Sequence, residues 1–97
     1  MDIGSVIKEL RLRKGLSQDQ FSKKAKIGQT TLSHIEIGMK KPTKKTLEKI
    51  CNCLGITETM LYVLSFDEND IPIGKKEIFK IHGDKIKKLI TEFIDSE

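Results

Sequence analysis

Residues 16–21, Leu-Ser-Gln-Asp-Gln-Phe, gather three helix-start signals into one short stretch. Ser17 can offer its hydroxyl to the unpaired amides of a first helical turn, and Gln20, three residues on, can reach back to the Ser17 amide. Leu16 and Phe21 flank this capping box as a hydrophobic staple. A start so sharply marked constrains everything after it. The helix runs to about Ala25, and Lys26-Ile27-Gly28 should break it, because glycine accepts backbone angles that other residues resist. A second helix then spans Gln29 to Glu36, closed by Gly38 in a left-handed conformation and prevented from continuing by Pro42. Two short helices joined by a tight turn follow from these signals.

The second helix has two faces of different character. Leu32 and Ile35, three apart, can point inward together, with Ala25 and Ile27 beside them. Gln29, Thr30, Ser33 and His34 are left outside. Their short hydroxyl, amide and imidazole groups suit base edges in the major groove better than they suit the Glu/Lys mixture of an ordinary solvated helix. A plain polar surface helix is the competing reading, and the preceding capped helix weighs against it.

Charge is distributed to match. Residues 1–65 carry 12 Lys/Arg against 6 Asp/Glu, a balance of +6, whereas residues 66–97 carry 6 against 8, a balance of −2. The positive half is the half with the helix pair, as phosphate binding requires. With 97 residues and 37% hydrophobic content, the chain is expected to form one small domain with an appendage. There is no apolar run of about 18 residues and no basic-then-apolar leader, so no membrane partner and a cytoplasmic location are expected.

Chemistry-bearing clusters are missing. Cys51 and Cys53 would project about 200° apart on a helix and cannot readily share a metal or bridge each other. Cys51 falls on an i, i+3, i+4, i+7 stripe with Leu47, Ile50 and Leu54 and is read as core, while Cys53 falls off it. Neither His34 nor His82 has a Cys/His cluster around it. No metal site, no cofactor and no catalytic residue are expected: nothing forms a nucleophile–base set or a Gly-rich phosphate loop. So small a bundle should also leave little room for an effector pocket.

The remaining helices follow from the same signals. Ile3, Val6, Ile7 and Leu10 stripe a first helix ending at Lys14-Gly15. Thr43 caps a fourth that Gly55 stops, and Thr57 starts a fifth from Glu58 to about Leu64 with Met60, Leu61 and Leu64 as its apolar residues. The expected fold class is all-α, a five-helix bundle over 1–65. Residues 66–72 form a polar, Pro-ended connector, and 73–97 a further helical segment. There Ile86, Leu89, Ile90, Phe93 and Ile94 make an amphipathic stripe. Lys75 to Ile81 could be helix or a short strand; a helix split near Gly83 is favoured. The stripe needs a cover, either its own bundle or the same helix of a second chain, and dimerisation is favoured.

Residues 3–64 resemble the lambda-repressor-like fold of phage repressors, Cro proteins and bacterial regulators of the xenobiotic-response-element type. The resemblance rests on an ordered set: an Arg-bearing first helix, Gly15-Leu16-Ser17-Gln18, the segment Ile27 to Gly38, Pro42 four residues later, and Thr43 to Leu61. It implies a five-helix DNA-binding bundle to which the amphipathic C-terminal segment is added. It also implies roles by position. Gln29, Thr30 and His34 take base-reading positions, with Ser33 nearby. Gln18 takes a phosphate-touching position that often braces the first recognition residue, Thr31 lies near the DNA backbone, and Lys40 and Lys41 match phosphate-binding positions. Arg11 and Glu36 correspond to an internal ion pair. Two positions depart from the pattern: Gly28 stands where Ser, Thr or Asn is usual, weakening the cap of the recognition helix, and His34 stands where Gln or Arg is common. The resemblance thus implies a sequence-specific regulator, in the sense of a repressor, reading double-stranded DNA as a homodimer on an inverted repeat. An antitoxin or other interaction protein, binding a protein partner through the tail and regulating its own promoter, is the alternative.

Overall fold

The computed structural model describes residues 1–96 and is helical throughout its regular elements. Six α-helices follow one another: α1 (Ile3–Arg13), α2 (Gln18–Ala25), α3 (Gln29–Glu36), α4 (Lys44–Leu54), α5 (Glu58–Ser65) and α6 (Lys76–Asp95). Side-chain caps set four of the starts. The Asp2 carboxylate accepts from the Ser5 amide, and the Thr43 and Thr57 hydroxyls accept from the Thr46 and Met60 amides. At α2 both halves of the capping box form, Gln20 N–H to Ser17 Oγ at 3.1 Å and Ser17 N–H to Gln20 Oε1 at 2.9 Å.

The core is assembled from every helix. Ile7 and Leu10 of α1, Phe21 and Ala25 of α2, Leu32 and Ile35 of α3, Leu47, Ile50, Cys51 and Leu54 of α4, and Leu61 of α5 are buried together. Each large apolar side chain so buried stabilises the fold by about 1.5–3 kcal/mol relative to exposure. Burial, with Glu58 nearby as a lesser cause, pushes the Cys51 thiol up to about 11, so it stays protonated and behaves as a small apolar group. α1 packs on α3 and α5, while α2 packs on α3 and α4. At the α1–α3 crossing Gly4 lies directly against the backbone of Ile35, where a Cβ would stand 2.0 Å from the carbonyl oxygen.

The turn between α2 and α3 departs from the sequence reading. Gly28 is extended (φ −69°, ψ 141°), and the left-handed residue is Lys26 (φ 60°, ψ 45°). The Lys26 amide donates to the Lys23 carbonyl and the Ile27 amide to the Ser22 carbonyl, so closing the end of α2 offsets the strain of a non-glycine there.

The C-terminal segment departs further. α6 is one continuous helix, with neither a split at Gly83 nor a strand over 75–81. Gly83 is buried, and a Cβ on it would come within 2.9 Å of the Phe79 ring. The Phe79 ring thus takes the space of a side chain at position 83, where glycine costs roughly 1 kcal/mol in helix propensity. Phe79 in turn meets Phe66 edge-on, ring centres 6.1 Å apart, and the Lys87 ammonium lies 5.6 Å from the Phe79 ring centre while donating to the Phe66 carbonyl. The connector before α6 contains two 3₁₀ turns, Glu68–Asp70 and Ile73–Lys75.

α6 folds back on the bundle. Ile94 is buried in the main core and Ile90 packs against it, while Arg13 pairs with Asp95. The expected stripe is thus divided: Ile90 and Ile94 are covered by their own chain, and Ile86, Leu89 and Phe93 remain exposed. Only one edge of the apolar face, the edge of Gly83, Ile90 and Ile94, reaches the bundle.

Candidate nucleic-acid interface

α3 begins at an exposed first turn. Gly28 supplies no side-chain cap to the α3 amides, and Gln29 and Thr30 are exposed. Among the described residues no hydrogen bond occupies either side chain. Thr31, Ser33 and His34 are half-buried along the same helix, and Leu32 and Ile35 point into the core. The outer face therefore offers hydroxyl, amide and imidazole groups that can exchange hydrogen bonds with a base edge.

The far end of α3 is held by a charged network. The Arg11 guanidinium donates from Nε to Glu36 Oε2 at 2.8 Å and from Nη2 to Glu36 Oε1 at 3.0 Å, with both side chains almost wholly buried. A third donor, Nη1, reaches the Leu16 carbonyl at 2.7 Å. The fork geometry of arginine makes these bonds simultaneous, which a lysine could not do. Gln18 adds a fourth bond, its Nε2 donating to Glu36 Oε1 at 3.0 Å. Four segments thereby converge on one cluster: α1, the turn after it, the first residue of α2, and the last residue of α3. The two helices of the pair are fixed relative to each other by this cluster as well as by apolar packing.

The resemblance gives Gln18 a phosphate contact and often Gln29 as a partner; in the structure its amide nitrogen donates to Glu36, and no bond joins it to Gln29 among the described residues. The sequence carries no signal for that choice, since a Gln two residues from a turn can reach several partners. Gly4 also escapes the sequence reading, although a glycine inside an otherwise regular helix is the signal that a backbone passes close by.

The loop leaving α3 presents the cations. The Met39 and Lys40 amides donate to the His34 carbonyl at 2.9 and 3.2 Å, and Gly38 is left-handed at φ 81°. This closure ties Lys40 and the adjacent Lys41, both exposed, to the end of α3. Lys44 and Lys45, exposed at the start of α4, extend the same basic segment, although no sequence motif marks them for that role. The apolar Ile37 and Met39 are exposed in the same loop.

Among the described residues no three His, Cys, Asp or Glu side chains gather to hold a metal ion, and no helix is long and apolar enough to cross a membrane.

The helix-turn-helix family model HTH_3 matches residues 7–61, more than half of the chain. Over its whole length the chain is 29% identical to the HTH-type transcriptional regulator ImmR of Bacillus subtilis, covering 72% of that protein. It is 34% identical over 74 residues to the HTH-type transcriptional regulator y4dJ of Sinorhizobium fredii, covering 76% of this chain and 92% of that one. No solved structure gives a significant match. The capped helix pair, its polar outer face and these relatives agree, and the chain belongs to the HTH_3 helix-turn-helix family of DNA-binding transcriptional regulators.

Proposed function

We propose that this chain is a sequence-specific repressor that reads an inverted-repeat operator as a homodimer, with α3 in the major groove of each half-site. The observation that carries the reading is the unpaired, exposed Gln29–Thr30 turn at the start of α3, backed by the lysine loop at its end. In this arrangement Gln29, Thr30, Ser33 and His34 face base edges. Thr31, Lys40 and Lys41 meet phosphates that set the register, and Gln18 keeps its Oε1 for the same backbone. The protein works in the cytoplasm, where its DNA is, and does so without cofactor or catalysis.

Two substitutions test the division of labour. A glutamine amide can bond adenine N6 and N7 together, a pairing worth roughly 1–3 kcal/mol of discrimination. Gln29→Ala is expected to relax preference at one base pair of each half-site in competition binding, and an unchanged preference would remove Gln29 from the reading set. Lys40→Ala should weaken binding to all sequences alike and make the slope of log affinity against log salt shallower by about one. If that slope stays the same in a salt titration, Lys40 lies outside the footprint.

A further inference from the structure

Along α6, outside the face that meets the core, Ile78, Ile86, Leu89 and Phe93 are each about half exposed or more (61%, 49%, 66% and 59%). At the first half of the helix this apolar edge opens into a groove of about 430 Å³ between α5 and α6, lined almost wholly by carbon from Tyr62, Val63, Phe79, Gly83 and Ile86. At the second half Phe93 is more than half exposed, one side of its residue bordering a shallow depression with Ile56 and Met60. A hole and a knob stand on one edge of the same helix.

The spacing makes that edge complementary to itself. The groove is centred near residue 82, and Phe93 lies ~16 Å further along at 1.5 Å per residue. A two-fold axis perpendicular to α6, passing it at the level of residues 87–88, carries each copy's Phe93 onto the other copy's groove. The same axis sets Ile86 against the partner's Leu89 on both sides of it. Charge agrees: Lys85 and Glu92, both exposed and seven residues apart on one flank, come to face each other across the axis. A parallel pairing would instead stack Phe93 on Phe93 and leave both grooves open.

We infer that two copies of this chain associate through antiparallel α6 helices, the Phe93 ring of each filling the α5–α6 groove of the other. The inference rests on the homodimer reading and specifies its surface, which excludes the buried Ile90 and Ile94. The exposed portions of these side chains with Tyr62, if wholly covered, amount to roughly 500 Å² per copy, or about 1,000 Å² in all, below the ~1,200 Å² of stable specific interfaces and within the range of transient ones. The dimer is therefore expected to be reversible at working concentrations and to tighten on an operator that holds both copies.

Sedimentation equilibrium of the full chain and of its variants tests this. Phe93→Ala should weaken the dimer about 30-fold or more, as loss of a central aromatic anchor does, with the melting temperature of the subunit little changed. Lys85→Glu alone and Glu92→Lys alone should each weaken it a few-fold, and the double variant should restore it. A dimer indifferent to Phe93→Ala, or single charge changes that the double variant does not repair, would overturn this geometry while leaving a homodimer standing. An operator complex that sediments with one copy of the chain per operator at saturation would overturn the homodimer itself.

Discussion

Arg11→Ala is expected to cost about 3–5 kcal/mol, most or all of the stability of a domain this small. The loss comes less from the attraction removed than from what is left behind. Glu36 has a fully buried carboxylate that receives two of its three side-chain hydrogen bonds from Arg11. Without the guanidinium, one bond from the Gln18 amide must support a negative charge in a dry site, and the Leu16 carbonyl also loses its partner. Arg11→Lys keeps the charge but not the fork, so it should fall between. Replacing both partners, as in Arg11→Leu/Glu36→Leu, should be less damaging than Arg11→Ala alone, because no buried charge then remains unpaired. Thermal unfolding of the three variants, with each kcal/mol worth about 4–8 °C, reads the order directly. If Arg11→Ala melts within a few degrees of the parent, the network does not hold the end of α3 in place.

Gly4→Ala pits two effects against each other. Helix propensity favours alanine over glycine by about 1 kcal/mol in a helix interior. Against this, the new Cβ would sit 2.0 Å from the Ile35 carbonyl oxygen and 3.2 Å from that of Glu36, both backbone atoms that cannot swing aside. α1 would have to move away from the end of α3, and overpacking of this kind typically costs about 1–3 kcal/mol and occasionally more. The approach is far closer than atoms tolerate, so the steric effect should win. The variant is expected to melt about 5–20 °C lower. It should also bind DNA less tightly at temperatures where it is fully folded, because the displaced end of α3 carries Glu36. A melting temperature at or above that of the parent would show that α1 and α3 do not approach so closely.

The Arg11–Glu36 pair is implied by the family resemblance and forms, whereas Gly4 marks where the sequence stops being informative. The bounds of α2, α3 and α4 are written in local chemistry: a capping box at Ser17, a threonine cap at Thr43, and left-handed glycines at Gly38 and Gly55. Such signals act within one turn of helix and need no knowledge of the fold. Gly28 and Gly83 mislead for one shared reason. A glycine says that some backbone freedom or close approach is wanted, and only the fold says which. At Gly83 the Phe79 ring occupies the space a side chain would take, while at the α2–α3 turn the left-handed angle is adopted by Lys26, which no composition rule marks.

Partner choice is the other part that spacing leaves open. Gln18 could reach a phosphate, Gln29 or Glu36 from its place at the head of α2, and it reaches Glu36. The α6 stripe is visible as a periodicity, but periodicity does not say which edge of a broad stripe meets the bundle. Ile94 is in the core, and Phe93, about 100° round the helix from it, is largely in solvent. The polar face of α3 is the most legible element of all: with Leu32 and Ile35 inward, Gln29 and Thr30 are exposed and Thr31, Ser33 and His34 half-buried, and only Glu36 is drawn inside, by Arg11.

The central claim is that α3 reads two symmetric half-sites, and selection of bound sequences from random duplex DNA by the full chain tests it most directly. An inverted repeat with half-sites about one helical turn apart is predicted, with Gln29→Ala losing preference at one symmetric pair of positions. Enrichment of a single unrepeated site, or of no sequence at all, would contradict it.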